Sequence, residues 1–349
     1  MRPRISSVFQ AIAVLLAALA ASNLSAQSTA PTDNPSSSPS VASAPSTPSP
    51  TIPAFSAPIS LSPAQIADFR DYLSQARGEI HLPGLAIALV QPGHTLLLEG
   101  FGTRVTTDND TGATDLVSPD TRFALGPISQ ALNSLLLARL ADARVIDLNQ
   151  PARRCWSDFY LADPDASRNA TLSDFLQMTA GIPDYVDHLV APPHSTVPDL
   201  FACLKQIPVL AQPGSAFSYS EASASAAGYL ATMAADHILD ATDSLPANYT
   251  ALVKTQLFDP LGMKRATYDP PDPNGDEAVG HTFSDANLWV PLPATPPTVG
   301  ALTPANGLRA SARDLAAWLQ FELSGGLAPD GTRLLSEASV QARWRPANV

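Results

Sequence analysis

The order of apolar and polar residues predicts helices and one early hairpin. Ser62 and Pro63 suit the start of a helix, and the apolar residues of the following turns recur at the helical period to about Arg77. Two apolar runs, 85–90 and 95–101, then flank a Gln-Pro-Gly-His turn. This pattern predicts a β-hairpin, and its almost continuously apolar arms predict a sheet covered by helices.

The middle of the chain is predominantly helical by pattern. Gly126 and Pro127 form a helix-start signal, and the Leu-rich run behind them predicts a buried helix to about Ala143. Further helices are predicted at 172–178, 222–237, 249–257 and 312–323. The order of elements predicts an α+β fold, with an antiparallel sheet flanked by helices and a large, mainly helical insertion.

The charge of the chain argues against nucleic acid and anionic membrane surfaces as partners. The 349 residues carry a net charge of −12, with 45% hydrophobic and 15% charged residues, as in a folded acidic protein. The lysines are Lys205, Lys254 and Lys264. An acidic chain so poor in lysine is not expected to bind nucleic acid or to hold a polybasic membrane patch.

The first 60 residues predict an export signal and a linker. Residues 1–26 combine two early arginines, an apolar stretch and a small-residue cleavage site, as secretory signals do. Ser22 and Asn23 interrupt the apolar stretch, which argues against a lasting membrane anchor. Residues 27–60 are rich in Ser and Pro and predict a disordered tether. We therefore expect a folded domain at 61–349 and a periplasmic or extracellular location.

The two cysteines, Cys155 and Cys203, leave two alternatives open. An exported protein can keep a disulfide between them, and two unpaired thiols are equally compatible with the sequence. Neither cysteine has a spacing that is typical of catalysis or of metal binding, and no other motif indicates a cofactor.

Several segments, taken together, resemble the serine hydrolase family of class C beta-lactamases, low-molecular-weight penicillin-binding proteins, D-aminopeptidases and related esterases. They are 83–86, 100–102, 121–126, 146–151, 179–185, 213–220, 260–263 and 307–315. Their order and spacing carry the resemblance over nearly all of 61–349. It implies a beta-lactamase/transpeptidase-like fold.

The family's Ser-x-x-Lys motif is degenerate in this sequence. Pro127 stands at the serine position and Gln130 at the lysine position. Proline has no nucleophilic atom, and glutamine has no amine that could accept the serine proton. Proline also lacks the backbone N–H that the family uses as one of two oxyanion-hole donors. The substitution is compatible with the fold, because proline suits the first turn of a helix.

The other two family motifs are also altered. Tyr-x-Asn is represented by Tyr219 and Glu221, so the phenol is kept and the amide is replaced by an acid. The third motif, Lys-Thr-Gly or His-x-Gly, lies in the family on a strand beyond Val349. The sequence given therefore predicts an incomplete C-terminal part of the sheet.

These changes favour an exported family member that has lost acyl transfer. Pro127, Gln130, Tyr219 and Glu221 are then predicted to bind a peptidoglycan peptide or a similar acyl-amide compound. One alternative is an active hydrolase with a non-standard nucleophile, for which Ser129, Ser218 and Ser220 are the candidates. Ser129 is expected to point away from the site, because two helical positions rotate a side chain by about 200°. The other alternative is a truncated relic without a ligand.

Overall fold

The computed structural model describes residues 61–105, 115–191, 195–284, 289–292 and 300–346. The predicted signal, 1–26, and the predicted linker, 27–60, lie outside these ranges and stay predictions. The described residues all belong to one compact unit, Pro53–Val349. Within the described ranges, no helix is long and apolar enough to span a membrane.

The strands form three short antiparallel pairs. The hairpin is confirmed: β1 (Gly84–Gln91) pairs with β2 (His94–Gly102). β3 (Arg122–Ala124) pairs with the distant β6 (Arg309–Ser311), and β4 (His281–Phe283) pairs with β5 (Trp289–Pro291). Thus the predicted antiparallel sheet is present as separate two-stranded units in the described part of the chain.

The helices account for most of the regular structure. They are α1 (Pro63–Glu79), α2 (Ser129–Asp142), α3 (Pro164–Asn169), α4 (Leu172–Leu176), α5 (Val186–Leu189), α6 (Val197–Gln206), α7 (Glu221–Asp236), α8 (Leu245–Val253), α9 (Asp259–Leu261), α10 (Thr303–Asn306), α11 (Ala312–Leu323) and α12 (Glu337–Trp344). Short 3-10 turns lie at Gly126–Ile128, Ala152–Arg154 and Gly300–Leu302.

The predicted helices are confirmed with two differences. The helix expected from Pro127 begins at Ser129, because Gly126–Ile128 forms a 3-10 turn first. The helix expected at 249–257 is divided: α8 ends at Val253, and a π-helical turn, Lys254–Phe258, leads into α9. The helices α6 and α12 are not among the predicted ones.

Helices cover the hairpin, as its apolar arms predict. From α11, the Gln320 Nε2 donates hydrogen bonds to the carbonyl oxygens of Gln91 and His94 at 2.9 and 2.8 Å. From α1, Arg70 pairs with Glu99 of β2. The hairpin is therefore held by helices from distant parts of the sequence.

The main core lies where α2, α7 and α8 meet. Asn133 is fully buried there; its Nδ2 donates to the carbonyl oxygen of Ala224 at 2.8 Å, and its Oδ1 accepts from the Tyr249 hydroxyl at 3.2 Å. Gly228 lets α7 approach closely, since a Cβ there would lie 2.6 Å from the Asn133 Oδ1. This packing fixes α2 and the segment before α7, which carry the candidate site.

Both cysteines are free thiols in the structure. Cys155 and Cys203 are half-buried, and burial raises the pKa of the Cys155 thiol to about 11. Of the two alternatives that the sequence leaves open, the structure has the unpaired one, and the protonated thiols are poor nucleophiles at neutral pH.

Candidate functional site

The turn before α2 places Pro127 at the surface. Gly126 adopts a φ of +55°, and the Leu125 N–H donates to the carbonyl oxygen of Leu308 at 2.9 Å. Pro127 comes next in the 3-10 turn, with its side chain exposed. Its ring nitrogen carries no hydrogen. This position can therefore provide neither a nucleophile nor a backbone donor.

Ser129 points into the protein, as the helical rotation predicts. The residue is fully buried, its Oγ donates to the carbonyl oxygen of Gly126 at 2.6 Å, and it accepts from the Leu308 N–H at 2.9 Å. Together these hydrogen bonds connect the start of α2 to the residue before β6. The hydroxyl is thus part of the support of the turn, and it does not line the cleft.

Gln130 and Tyr219 are in direct contact. The Gln130 Nε2 donates to the Tyr219 phenol oxygen at 2.8 Å. Tyr219 lies on the extended segment before α7, which is anchored by a hydrogen bond from the Ser218 N–H to the carbonyl oxygen of Met178. Tyr219 is 45% exposed, so its outer edge faces solvent. The structure thus joins two of the four predicted site residues.

The surroundings of Tyr219 keep its phenol protonated. Partial burial raises the pKa of Tyr219 above its ordinary value, and the carboxylates of Glu221 and Asp187 raise it further, while the Gln130 hydrogen bond acts in the opposite direction. The phenol oxygen already accepts from Gln130. Its own O–H is therefore available to donate to a ligand, for instance to a carbonyl oxygen.

Glu221 begins α7 beside two residues that the sequence does not single out. Asp187 caps the helix: its carboxylate accepts from the Ser220 hydroxyl and from the Glu221 and Ala222 N–H groups at 2.7 to 2.8 Å. The Glu221 Oε2 accepts from the Asn306 Nδ2 at 3.3 Å. Burial and the adjacent Asp187 raise the pKa of Glu221.

Asn306 also lies close to the turn that carries Pro127. A methyl group at Gly126 would lie 3.1 Å from the Asn306 Oδ1. Asn306 thus lies between Gly126 and Glu221, and Tyr219 and Gln130 form a separate contact. No sequence motif relates Asp187, Glu221 and Asn306, so their contacts could not be predicted from the sequence.

We expect Glu221→Gln to stabilise the protein at pH 7 and not at pH 4. A carboxyl whose pKa is raised on folding is compatible with the folded state while it is protonated. As the pH rises above the ordinary pKa of 4.5, the charged form is favoured in the unfolded chain, and the carboxyl then destabilises the folded state. Glutamine removes the burial of that charge and can still accept from Asn306. Urea unfolding at both pH values measures the difference, with exposed Glu79→Gln as the control. Equal effects at both pH values would contradict the assignment.

A cleft of about 670 Å³ runs along one face of α2. Gln130, Tyr219, Phe217 and Met178 line it, and so does Arg343 of α12. Pro127 and Glu221 are not part of its lining. The four predicted residues are thus divided: Gln130 and Tyr219 line the cleft, whereas Pro127 and Glu221 do not.

Met178 packs in the wall of the cleft. Its side chain is buried against Ala224 and Ala305, although its backbone has a left-handed φ of +60°. A non-glycine residue in this conformation carries local strain, which the surrounding contacts must hold. The residue therefore holds its part of the cleft wall in place.

Known proteins with a similar sequence or structure have the same kind of fold. The family model named Beta-lactamase matches residues 69–348, and the chain belongs to this family. The octameric penicillin-binding protein homologue from Pyrococcus abyssi superposes with a TM-score of 0.62 at 20% identity, covering 79% of this chain and 59% of that one. At this identity the likeness shows the fold, which is beta-lactamase/transpeptidase-like as the resemblance implied.

Two curated relatives cover most of this chain at low identity. Penicillin-binding protein 4 of Amycolatopsis lactamdurans is 25% identical over 291 residues, which are 80% of this chain and 69% of that protein. The unguisins hydrolase ungD' of Aspergillus campestris is 24% identical over 302 residues, which are 81% of this chain and 51% of that protein. The chain thus spans about half to two thirds of the length of these relatives.

Proposed function

We propose that this protein is an exported member of the beta-lactamase family that binds a peptidoglycan peptide or a similar acyl-amide compound without acyl transfer. The observation that carries the proposal is the Gln130–Tyr219 contact at 2.8 Å, with Pro127 at the position of the nucleophile. A neutral amide next to a protonated phenol binds polar ligands but does not activate a hydroxyl.

The hydroxyls near the site support this proposal. Ser129 and Ser220 are fully buried, and Ser220 donates its hydroxyl hydrogen to the Asp187 carboxylate at 2.8 Å. Ser218 is half-buried beside Tyr219. None of the chain's three lysines lines the cleft, and all three are exposed. No lysine amine of the described lining could therefore activate one of these serines.

The names of the relatives support a ligand-binding cleft. One is named for binding penicillin and the other for hydrolysing unguisins. Because one relative is a hydrolase, the alternative that an experiment must exclude is an active enzyme with a non-standard nucleophile. Loss of one oxyanion-hole donor alone lowers the rate of catalysis by a factor of about 10² to 10³, and loss of the nucleophile lowers it further.

The test is the intact mass of the purified protein before and after incubation with a fluorophosphonate, followed by calorimetry with muropeptides and acyl-D-alanyl-D-alanine. We expect no adduct, together with measurable heat of binding. The untreated mass also tests cleavage after residue 26. A stoichiometric adduct would establish an activated nucleophile and overturn the proposal. A folded chain with neither adduct nor heat would indicate a relic without this ligand.

A further inference from the structure

A second cavity lies away from the candidate site. It has a volume of about 320 Å³, and its walls come from residues 156–160, from α6 and from residues 240 and 241 behind α7. The described residues that line it and those that line the cleft beside α2 form two separate sets. None of its wall segments belongs to a segment that carries the family resemblance. The cavity is therefore a distinct candidate site.

Two aromatic side chains of the cavity are held in place by contacts within the protein. Trp156 packs edge to face on Phe201, with 5.1 Å between the ring centroids, and its Nε1 donates to the carbonyl oxygen of Leu239 at 2.7 Å. Tyr160 is 40% exposed; the guanidinium carbon of Arg153 lies 4.4 Å from its ring centroid, and the Arg153 Nη2 donates to its phenol oxygen at 3.0 Å. Both rings are thus positioned before a ligand arrives, which lowers the entropic cost of binding.

The polar lining of the cavity contains charges of both signs. Asp158, Asp240 and Lys205 line it, and all three are exposed. Among the described residues, none of them forms an ion pair. Asp158 accepts a hydrogen bond of 3.4 Å from the Ser157 hydroxyl, and the Lys205 Nζ lies 5.6 Å from the Tyr160 ring centroid. Two carboxylates and one ammonium group are thus open to a ligand in the same cavity as the aromatic rings.

This combination of charges favours a neutral ligand. An anion would meet the carboxylates of Asp158 and Asp240, and an organic cation would meet the ammonium group of Lys205. Repulsion between like charges disfavours both classes. A neutral molecule with several hydroxyls can instead donate to the carboxylates and accept from the ammonium group. Neutral sugars provide such hydroxyls, and the C–H face of a pyranose ring is apolar enough to pack on an aromatic ring.

We propose that this cavity binds one ring of a neutral pyranose sugar. The hydroxyls of the sugar donate to Asp158 and Asp240 and accept from Lys205. Its C–H face packs against the rings of Trp156 and Tyr160. A volume of about 320 Å³ is at the lower end of the range for small-molecule sites, which suits a single ring. The inference goes beyond the proposed function, since it concerns a separate cavity and a different class of ligand.

Saturation-transfer NMR of the purified protein tests the inference, because it detects weak ligands in fast exchange. We expect stronger saturation transfer to methyl β-D-glucopyranoside than to cyclohexanol, which has a ring without the array of hydroxyls, and than to acetate and choline, which are charged. N-acetyl-D-alanyl-D-alanine should not displace the sugar. Cellotetraose identifies the source of the ring: tighter binding than that of the monosaccharide would indicate a polysaccharide, and equal binding a free sugar.

Three matched variants locate the binding site. Asp158→Asn and Asp240→Asn should each weaken the affinity for the sugar about tenfold, because a charged acceptor is replaced by a neutral amide. Asp236→Asn removes an exposed carboxylate that lies four residues before Asp240 and does not line the cavity, so the affinity should stay unchanged. Thermal unfolding of all three variants at the temperature of the parent would show that the change is local.

The outcomes that would overturn the inference are clear. Absence of saturation transfer to both sugars, from a protein that unfolds cooperatively, would exclude a sugar site. An affinity that is unchanged in Asp158→Asn and Asp240→Asn, or displacement by N-acetyl-D-alanyl-D-alanine, would place the sugar elsewhere. A stronger response to choline or to acetate would contradict a neutral ligand. The heats measured with ligands of the cleft are independent of these results, so the proposed function is tested separately.

Discussion

Glu277→Gln is expected to lower the free energy of unfolding by about 3–5 kcal/mol. The Glu277 side chain is 7% exposed and forms ion pairs with Arg122 of β3 and Arg309 of β6. Glutamine has the same size but no charge, so two guanidinium groups would remain in a poorly hydrated environment without their counter-charge. Equilibrium unfolding in urea measures the loss.

A surface pair provides the matched control. Glu337 is 73% exposed and pairs with Arg333, four residues away in the chain. Glu337→Gln is expected to change the free energy of unfolding by less than about 1 kcal/mol, because solvent screens such pairs. If Glu277→Gln lowered the free energy of unfolding no more than this control does, the buried ion pairs would not be the interaction that holds β3 to β6.

The Glu277 ion pairs support the site through the segments next to β3 and β6. β3 leads directly into Gly126 and Pro127, and β6 begins directly after Leu308, which contacts Ser129. Loss of the Glu277 charge would therefore loosen the turn that positions α2. We infer that the site depends on ion pairs whose residues are far from it in sequence.

The sequence predicts those elements whose signals are local. Ser62 and Gln65 form the reciprocal cap of α1 that their spacing indicates, and the bounds of α11 agree with the prediction for 312–323. A similar cap, Thr196 with Asp199, begins the unpredicted helix α6. Its buried apolar residues, Val197, Leu200, Phe201 and Leu204, also follow the helical period, so α6 has local signals that the prediction did not use.

Long-range contacts could not be predicted in the same way. β3 and β6 have three residues each, too few for a period, and only tertiary packing brings them together. The motifs located Pro127, Gln130, Tyr219 and Glu221 in the sequence. They gave no information about Asp187 or Asn306, because those residues reach the site from separate segments and belong to no motif.

Ser129→Ala is expected to lower the free energy of unfolding by about 1–3 kcal/mol. The buried Leu308 N–H would lose its acceptor, the Ser129 Oγ at 2.9 Å, and no water can easily replace it at a fully buried position. Alanine itself suits a helix, so the loss reports the missing hydrogen bonds. Urea unfolding of the variant measures it, and Ser215→Ala, at an exposed serine, should change stability by less than about 0.5 kcal/mol.

The same variant distinguishes a structural serine from a nucleophile. If Ser129 supports the turn, parent and Ser129→Ala should both fail to react with a fluorophosphonate, and only stability should differ. An adduct in the parent that disappears in a fully stable Ser129→Ala protein would instead identify Ser129 as the nucleophile. Such a result would require Ser129 to leave its hydrogen bonds with Gly126 and Leu308 and rotate toward Tyr219, so the stability of the variant is the deciding measurement.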